Sequence, residues 1–146
     1  MAEQDFASFD PKEYTCAVAG QPVDGFMPGT GIEIEWLTDA FEDVAGMTGL
    51  VSRGRKHDRR ANLTITLQHT SQWNVILSGL HNADINARNG AGIITFFLRD
   101  KQGSTVVEAA RCWVVKFPNV QVSDAVTPRV WVLRLAKANA VSVGGN

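Results

Sequence analysis

Catalysis would require a nucleophile, a base and an orienting group that converge in space, and one stretch of the sequence offers suitable residue types. Ser52 is followed closely by the adjacent pair His57 and Asp58, within a highly charged run. The Gly-x-Ser-x-Gly context that presents a serine nucleophile is missing there. Histidines in charged loops are most often simply solvated, so we predict that the protein is not an enzyme. Hydrolysis involving His57 or Asp58 is the alternative.

The other histidines and the two cysteines lack the spacing of a metal site. His69 and His81 are twelve positions apart, and no third ligand stands at a recognisable distance from them. Cys16 and Cys112 lie in separate apolar, strand-like segments without a Cys-x-x-Cys motif. We therefore predict buried, reduced thiols and neither a metal nor another cofactor.

A basic run over residues 53–60 contains five of the fourteen basic residues. Such a run can bind phosphates, but base-stacking aromatic residues are absent from it. Acidic residues precede it in the same connection, so the two halves can pair with each other or with another copy of the chain. Inter-subunit pairing, a solvated loop and polyanion binding all remain open. The inter-subunit candidates are Asp39, Glu42, Asp43, Arg53, Arg55, Lys56, Arg59 and Arg60.

The composition is that of one folded domain without a global attraction to polyanions. The 146 residues are 45% hydrophobic, which suffices for a core, and the formal net charge is −1. Charge is nevertheless asymmetric, since residues 1–50 hold ten of the fifteen acidic residues and a single base. No apolar run approaches the roughly 20 residues of a membrane helix, and no secretory leader is recognisable. We predict no membrane segment.

Two strands of alternating character flank the charged connection. Residues 31–37 place Ile32, Ile34 and Trp36 on one face, and residues 62–68 repeat the alternation. Strands that follow each other in this way usually pair. The connection between them, residues 38–61, is much longer than an ordinary hairpin loop, and we interpret it as an arm that contacts another copy.

The polar faces of these two strands lack basic and aromatic residues. A channel lined by such a face would let DNA pass, because adhesion to phosphates requires lysine or arginine. The alternative is an ordinary solvated sheet face. The lumen-facing candidates are Glu33, Glu35, Thr64, Thr66 and Gln68.

Further strands are predicted over residues 14–18, 93–98, 105–108, 112–117, 129–135 and 141–143. The run 93–98 consists only of apolar and β-branched residues and is predicted to be covered on both faces. One helix is predicted to begin after an N-cap at Thr70 or Ser71 and to pack one face on the sheet. Its apolar stripe consists of Trp73, Ile76, Leu77 and Leu80, with Ala83 extending it.

Short motifs spread over nearly the whole chain resemble those of the tail tube proteins of contractile-tailed bacteriophages. Their order and spacing carry the resemblance. They are Phe9 to Lys12, Gly25-Phe26 with Gly29-Thr30, Thr66 to Gln68, Thr70-Ser71 with Asn74, Arg99-Asp100 with Gly103 and Thr105, Trp113 with Pro118, Arg129 to Trp131, and the terminal Gly144 to Asn146.

The resemblance implies a mainly β fold over residues 1–146, a β-sandwich or half-barrel with one flanking α-helix. It implies six-membered rings with a continuous inner β-barrel, stacked into a tube that conducts the genome. The connection 38–61 would reach the next ring, while the arm 1–11 and the tail 140–146 would add contacts. The helix around Trp73, Ile76, Leu77 and Leu80 would face the sheath.

The resemblance also implies a set of partners. These are other copies of the chain, a tail sheath protein, a tape-measure protein inside the tube, baseplate and tail-terminator proteins, and double-stranded DNA in transit. The implied location is the virion, after assembly in the host cytoplasm. A soluble β-sandwich module that binds polyanions through residues 53–60 is the alternative function.

Overall fold

The computed structural model describes residues 14–27, 29, 31–87, 89–100 and 105–144. The predicted arm 1–11 lies outside these residues. In chain order the elements are β1 (Tyr14–Val18), β2 (Gln21–Pro22), β3 (Ile32–Trp36), β4 (Phe41–Ala45), β5 (Val51–Arg55), β6 (Ala61–Gln68), α1 (Trp73–Asn86), β7 (Ile94–Asp100), β8 (Thr105–Lys116), β9 (Pro128–Leu135) and β10 (Asn139–Val143).

The described strands form one large antiparallel sheet and one separate hairpin. The sheet runs in the order β2-β1-β7-β8-β9-β6-β3, and β10 also pairs with β8. β4 and β5 pair only with each other. The fold is mainly β with one flanking helix, as predicted.

The predicted strand pair is confirmed as β3 and β6, which are antiparallel with Ile34 opposite Leu63. β6 pairs with β9 on its other side, where Ile65 lies opposite Trp131. Side chains that face each other across a strand pair share one face of the sheet. The apolar halves of β6 and β9 therefore form one continuous buried surface. Its members are Leu63, Ile65, Leu67, Trp131, Leu133 and Leu135.

The helix packs on this apolar surface through fewer of its side chains than predicted. Trp73, Leu77 and His81 are buried, whereas Ile76 is 42% exposed and Ala83 is exposed. The buried residues are spaced four apart, so the helix contacts the sheet along one line of its surface. The prediction that Ile76 and Ala83 belong to the packed face is wrong.

The helix start also differs from the prediction. Gln72 occupies the N-cap position, in a helical conformation and without a side-chain cap. The hydroxyl of Ser71 instead accepts a hydrogen bond from the Trp73 amide at 3.3 Å and donates one to the Asp24 carbonyl at 3.1 Å. Ser71 therefore ties the helix start to the segment before β3.

The two short strands predicted over residues 105–108 and 112–117 are one strand, β8. Ile94 pairs with Cys112 and Phe96 with Ala109, so Ala110 and Arg111 together oppose one residue of β7. This is a β-bulge, which absorbs one extra residue and bends the strand. The alternation changes phase at the bulge, and this change made one strand resemble two.

The prediction that the run 93–98 is covered on both faces is wrong for the single chain. Phe96 and Leu98 are buried, but Thr95 is exposed and Phe97 is only half-buried.

The predicted C-terminal tail contains a strand, because β10 pairs with β8 along residues 105–108.

Candidate functional site

Four of the five predicted lumen residues lie together on the sheet face opposite the core. Glu33 is paired with Thr64, and Thr64 is also paired with Val132 of β9. Glu35 and Thr66 follow two residues along their strands, on the same face. Both glutamates are exposed, whereas the two threonines are half-buried. The structure therefore brings a row of carboxylates beside a row of hydroxyls.

The same face extends over β9 and includes side chains that sequence reasoning missed. Val130 and Val132 lie on it, and Val130 is 42% exposed. Arg134 adds a positive charge, and its Nε donates a hydrogen bond to the Asn62 side-chain oxygen at 2.8 Å. The alternation of residues 129–135 places these side chains on the face opposite Trp131, Leu133 and Leu135. The register with β6 was needed to assign them to the polar face.

Gln68 lies at the end of this face and is engaged within the chain. Its amide side chain donates to the Phe26 carbonyl at 3.4 Å, and its backbone N–H donates to the Gly25 carbonyl at 2.8 Å. Gln68 thus ties the segment before β3 to the end of β6, so it contributes less free surface than the other four candidates.

The long connection is a two-stranded hairpin rather than an irregular loop. β4 and β5 pair along their whole length, with Asp43 opposite Arg53. Gly49 closes the turn with a φ of 87°, a left-handed conformation that glycine adopts without strain. Every residue from 41 to 57 is exposed, and Met47 at the tip is fully so. The hairpin projects from the domain.

The acidic and basic halves of the hairpin contact each other only loosely. Lys56 and Glu42 form an exposed ion pair at 3.9 Å. The guanidinium carbons of Arg53 and Arg55 lie 4.2 Å and 5.5 Å from the centre of the Phe41 ring, in cation–π geometry. Exposed ion pairs contribute at most about 1 kcal/mol, so most of this charge remains available to a partner.

Asp58 and Arg60 form a tighter pair at the base of the hairpin. Two parallel hydrogen bonds of 2.9 Å join the guanidinium to the carboxylate, and this pairing lowers the pKa of Asp58. Thr38 also donates to the Asp58 carbonyl at 3.0 Å. Asp58 is therefore held by Arg60, and Arg60 is occupied within its own chain.

The four predicted helix residues divide into packed and available groups. Trp73 and Leu77 are buried, and the Trp73 indole N–H donates to the Pro22 carbonyl at 3.1 Å. Leu80 is half-buried against the core. Ile76 is thus the predicted residue most available to a neighbour. Sequence reasoning missed Val75 and Ile85, which are 75% and 61% exposed on the helix.

The described residues show little chemistry beyond packing and charge. They contain no group of three or more His, Cys, Asp or Glu side chains arranged to hold a metal ion. His81 packs edge-on against Phe117 with ring centres 4.6 Å apart. Within the part of the chain that the structure describes, no helix has the length and apolar character needed to span a membrane.

Both cysteines are free and buried, as predicted. Burial raises the pKa of the Cys16 thiol from 9.0 to about 12, and the Cys112 thiol adds to the increase. Burial likewise raises the pKa of Cys112 to about 12. A thiol attacks alkylating reagents as the thiolate, so both side chains should be inert in the folded protein.

We expect iodoacetamide at about pH 8 to leave both thiols of the folded protein unmodified and to modify both in guanidinium chloride. Because the folded thiols keep their protons above the ordinary pKa of 9.0, their contribution to stability is complete below pH 9. It is lost as the pH rises toward about 12. Mass spectrometry of the alkylated protein measures the first effect, and equal labelling with and without denaturant would contradict it.

An apolar cavity of about 720 Å³ lies between the β3 side of the sheet and the β1-β7-β8 side. β3 is the last strand on one side, and only the two-residue β2 follows β1 on the other. Trp36 on β3 and Val143 on β10 both line this cavity, and they are 37% and 72% exposed. The single chain therefore presents open strand edges beside apolar surface. The apolar lining includes Tyr14, Val23, Phe26, Met27, Ile32, Ile34, Trp36, Leu98, Val107 and Val143.

No protein-family profile matches the chain. In sequence it is 25% identical, over 122 residues, to the structural protein ORF10 of Pseudomonas phage KPP10. The aligned region covers 84% of this chain and 70% of that protein. The chain is thus similar to a phage structural protein.

Solved structures with a similar fold come from contractile injection systems. The tube-terminating cap of the anti-feeding prophage matches with a TM-score of 0.60 and 12% identity, covering 98% of this chain and 95% of that one. A chain of the PVC sheath–tube complex gives 0.56 and 11% identity, covering 93% of each. A chain of the PVC sheath/tube terminator gives 0.55 and 11%, covering 95% and 100%. The fold is therefore one found in tube and terminator assemblies of contractile injection systems.

Proposed function

We propose that the protein is the tail tube subunit of a contractile-tailed phage or of a related injection machine, without catalytic activity. Identical copies join edge to edge into six-membered rings, and the rings stack into a hollow tube. The observation that carries this proposal is the open sheet, whose end strands lie beside an uncovered apolar cavity. An exposed strand edge is a template for pairing with another chain, and a closed ring removes all such edges.

The face that carries Glu33, Glu35, Thr64 and Thr66 lines the lumen in this arrangement. The exposed charges of these four residues are carboxylates, whereas half-buried Arg134 keeps its positive charge and is hydrogen-bonded to the neutral side chain of Asn62. Duplex DNA is held by neutralisation of its phosphates, so a wall that presents carboxylates and hydroxyls lets the genome pass. The inner faces of neighbouring subunits would together form the continuous inner β-barrel.

The connection 38–61, through its projecting hairpin β4-β5, joins one ring to the next. The helix lies outside, and its exposed residues Val75, Ile76 and Ile85 face a sheath protein. The proposed partners are those that the tail tube resemblance implies: a sheath outside, a tape-measure protein and then DNA inside, and baseplate and terminator proteins at the two ends. The place of action is the virion tail, after assembly in the host cytoplasm.

Negative-stain microscopy of the purified chain at increasing concentration tests the proposal. We expect rings at low concentration and hollow tubes of variable length at high concentration, because each added ring exposes the same surface again. The sedimentation coefficient should rise with concentration over the same range. A chain that stays monomeric at every concentration would contradict the proposal.

A tube terminator is the second candidate, and it is favoured by the similarity to the anti-feeding prophage cap. A terminator also forms rings, but it binds the end of a tube and stops growth. The same microscopy separates the two functions, because a terminator would give single rings at all concentrations. Tubes formed by the chain alone would exclude this candidate.

A further inference from the structure

A basic groove of about 1010 Å³ lies where the base of the hairpin meets the bulge of β8. Five basic side chains line it, and all are exposed. Glu108 is the one carboxylate among its lining residues. The basic residues are Arg55, Lys56, Arg59, Arg111 and Lys137.

Backbone hydrogen bonds fix the positions of three of these basic residues relative to one another. The Ala136 N–H donates to the Arg111 carbonyl, and the Ala138 N–H donates to the Arg59 carbonyl, both at 3.0 Å. Lys137 lies between these two donors. Arg111 is part of the β-bulge, a feature that redirects side chains. The groove is therefore built on backbone that is hydrogen-bonded to the main sheet, whereas the strands of the projecting hairpin pair only with each other.

Most of this positive charge is not neutralised within the chain. Lys56 pairs with Glu42 at 3.9 Å, whereas the other four groove cations form no ion pair with a carboxylate in the described ranges. A groove with this surplus attracts an acidic partner and steers its approach.

The chain itself carries an acidic surface whose charge is opposite to that of the groove. Asp39, Glu42 and Asp43 lie within five residues on and before β4, and all three are exposed. β4 pairs with β5 on one side only, so its outer edge is open in the described structure. A groove of one copy and an acidic strand of the next form a head-to-tail contact, which repeats without closing and so builds a stack.

We propose that the basic groove of each subunit receives the acidic strand β4 of a subunit in the adjacent ring. The inference rests on the proposed tube function and adds the receiving surface, which includes Arg111 and Lys137 from outside the hairpin.

A polynucleotide is the competing occupant. The described groove lining favours it less, because its two aromatic residues, Phe96 and Phe97, are buried and half-buried, which leaves His57 as the exposed ring for base stacking.

Paired charge-reversal variants test the contact. A groove variant carries Arg111→Glu and Lys137→Glu, and a strand variant carries Glu42→Lys and Asp43→Lys. Each alone should form rings but lose tubes, because like charges then face each other between rings. The mixture should recover tubes in which the two kinds of ring alternate, detected by labelling one variant with gold. Arg111→Gln with Lys137→Gln should weaken stacking less than charge reversal does.

The outcomes separate this inference from the tube function. Absence of rings in the unchanged protein would overturn the tube function itself. Rings and tubes formed by the groove variant alone would overturn the groove contact while leaving the tube function intact. Failure of the mixture to recover tubes, with both variants folded by circular dichroism, would also overturn the contact. Salt-sensitive retention of a fluorescent oligonucleotide by the unchanged protein, lost in a groove variant that still forms tubes, would assign the groove to polynucleotides instead.

Discussion

Deletion of residues 41–55, with two glycines joining Ala40 to Lys56, is expected to leave a folded chain that forms rings and no tubes. All the deleted residues are exposed, so the core loses no packing. The Lys56 N–H donates to the Ala40 carbonyl at 2.8 Å, which shows that the new junction spans a short gap. The free energy of unfolding should change by less than about 1 kcal/mol, as is usual for exposed surface.

Sedimentation and negative-stain microscopy measure the assembly, and urea unfolding measures the stability. Thr48→Ala, an exposed change at the hairpin turn, is the matched control and should form tubes of normal length. Normal tubes from the deletion variant would show that rings stack without the hairpin. Loss of rings as well as tubes would place the hairpin in the contact within each ring.

Replacement of Ile65 by alanine is expected to lower the free energy of unfolding by about 2–5 kcal/mol. Ile65 is fully buried at the centre of β6, where it is paired with Ile32 on one side and Trp131 on the other. Removal of its methyl and ethyl groups leaves a cavity that paired strands on both sides cannot close. Domains of this size are stable by only about 5–15 kcal/mol, so the loss is a large fraction of the total.

Urea unfolding followed by tryptophan fluorescence measures this effect, because Trp131 contributes to the same core. Thr66→Ala is the control on the next residue of β6, which faces away from the core and is half-buried. Its effect should stay below about 1 kcal/mol. Equal effects of the two substitutions would mean that the assigned inner and outer faces of β6 are wrong.

The cavity and the open edges connect these stability effects to assembly. Surface that stays uncovered in one chain becomes buried when a neighbour binds, and this stabilises the folded state by mass action. We therefore expect both the unchanged protein and the Ile65→Ala variant to unfold at higher urea concentration inside a tube than as free chains. The same reasoning explains why β9 has apolar residues on both of its faces, of which only the face with Trp131, Leu133 and Leu135 is buried within a single subunit.

Local alternation of side chains was sufficient to predict the strands β1, β3, β6 and β9 and to separate the two faces of β3, β6 and β9. A strand that separates core from solvent must alternate with period two, so its sequence alone carries that information. The position of one helix and the burial of both cysteines followed from equally local signals. The grouping of Glu33, Glu35, Thr64 and Thr66 on one face needed only the assumption that neighbouring strands pair.

Only the tertiary structure decided the width of the packed helix face, the continuity of β8 and the position of the basic groove. Ile76 fits a helical apolar stripe, but the distance between helix and sheet determines whether such a residue is covered. The bulge at Ala110 and Arg111 arises from register with β7, which local sequence does not encode. The groove joins Arg59, Arg111 and Lys137, which are far apart in the chain and meet only through strand pairing. Contacts between distant segments depend on how whole elements pack, and so the basic groove became visible only in the folded chain.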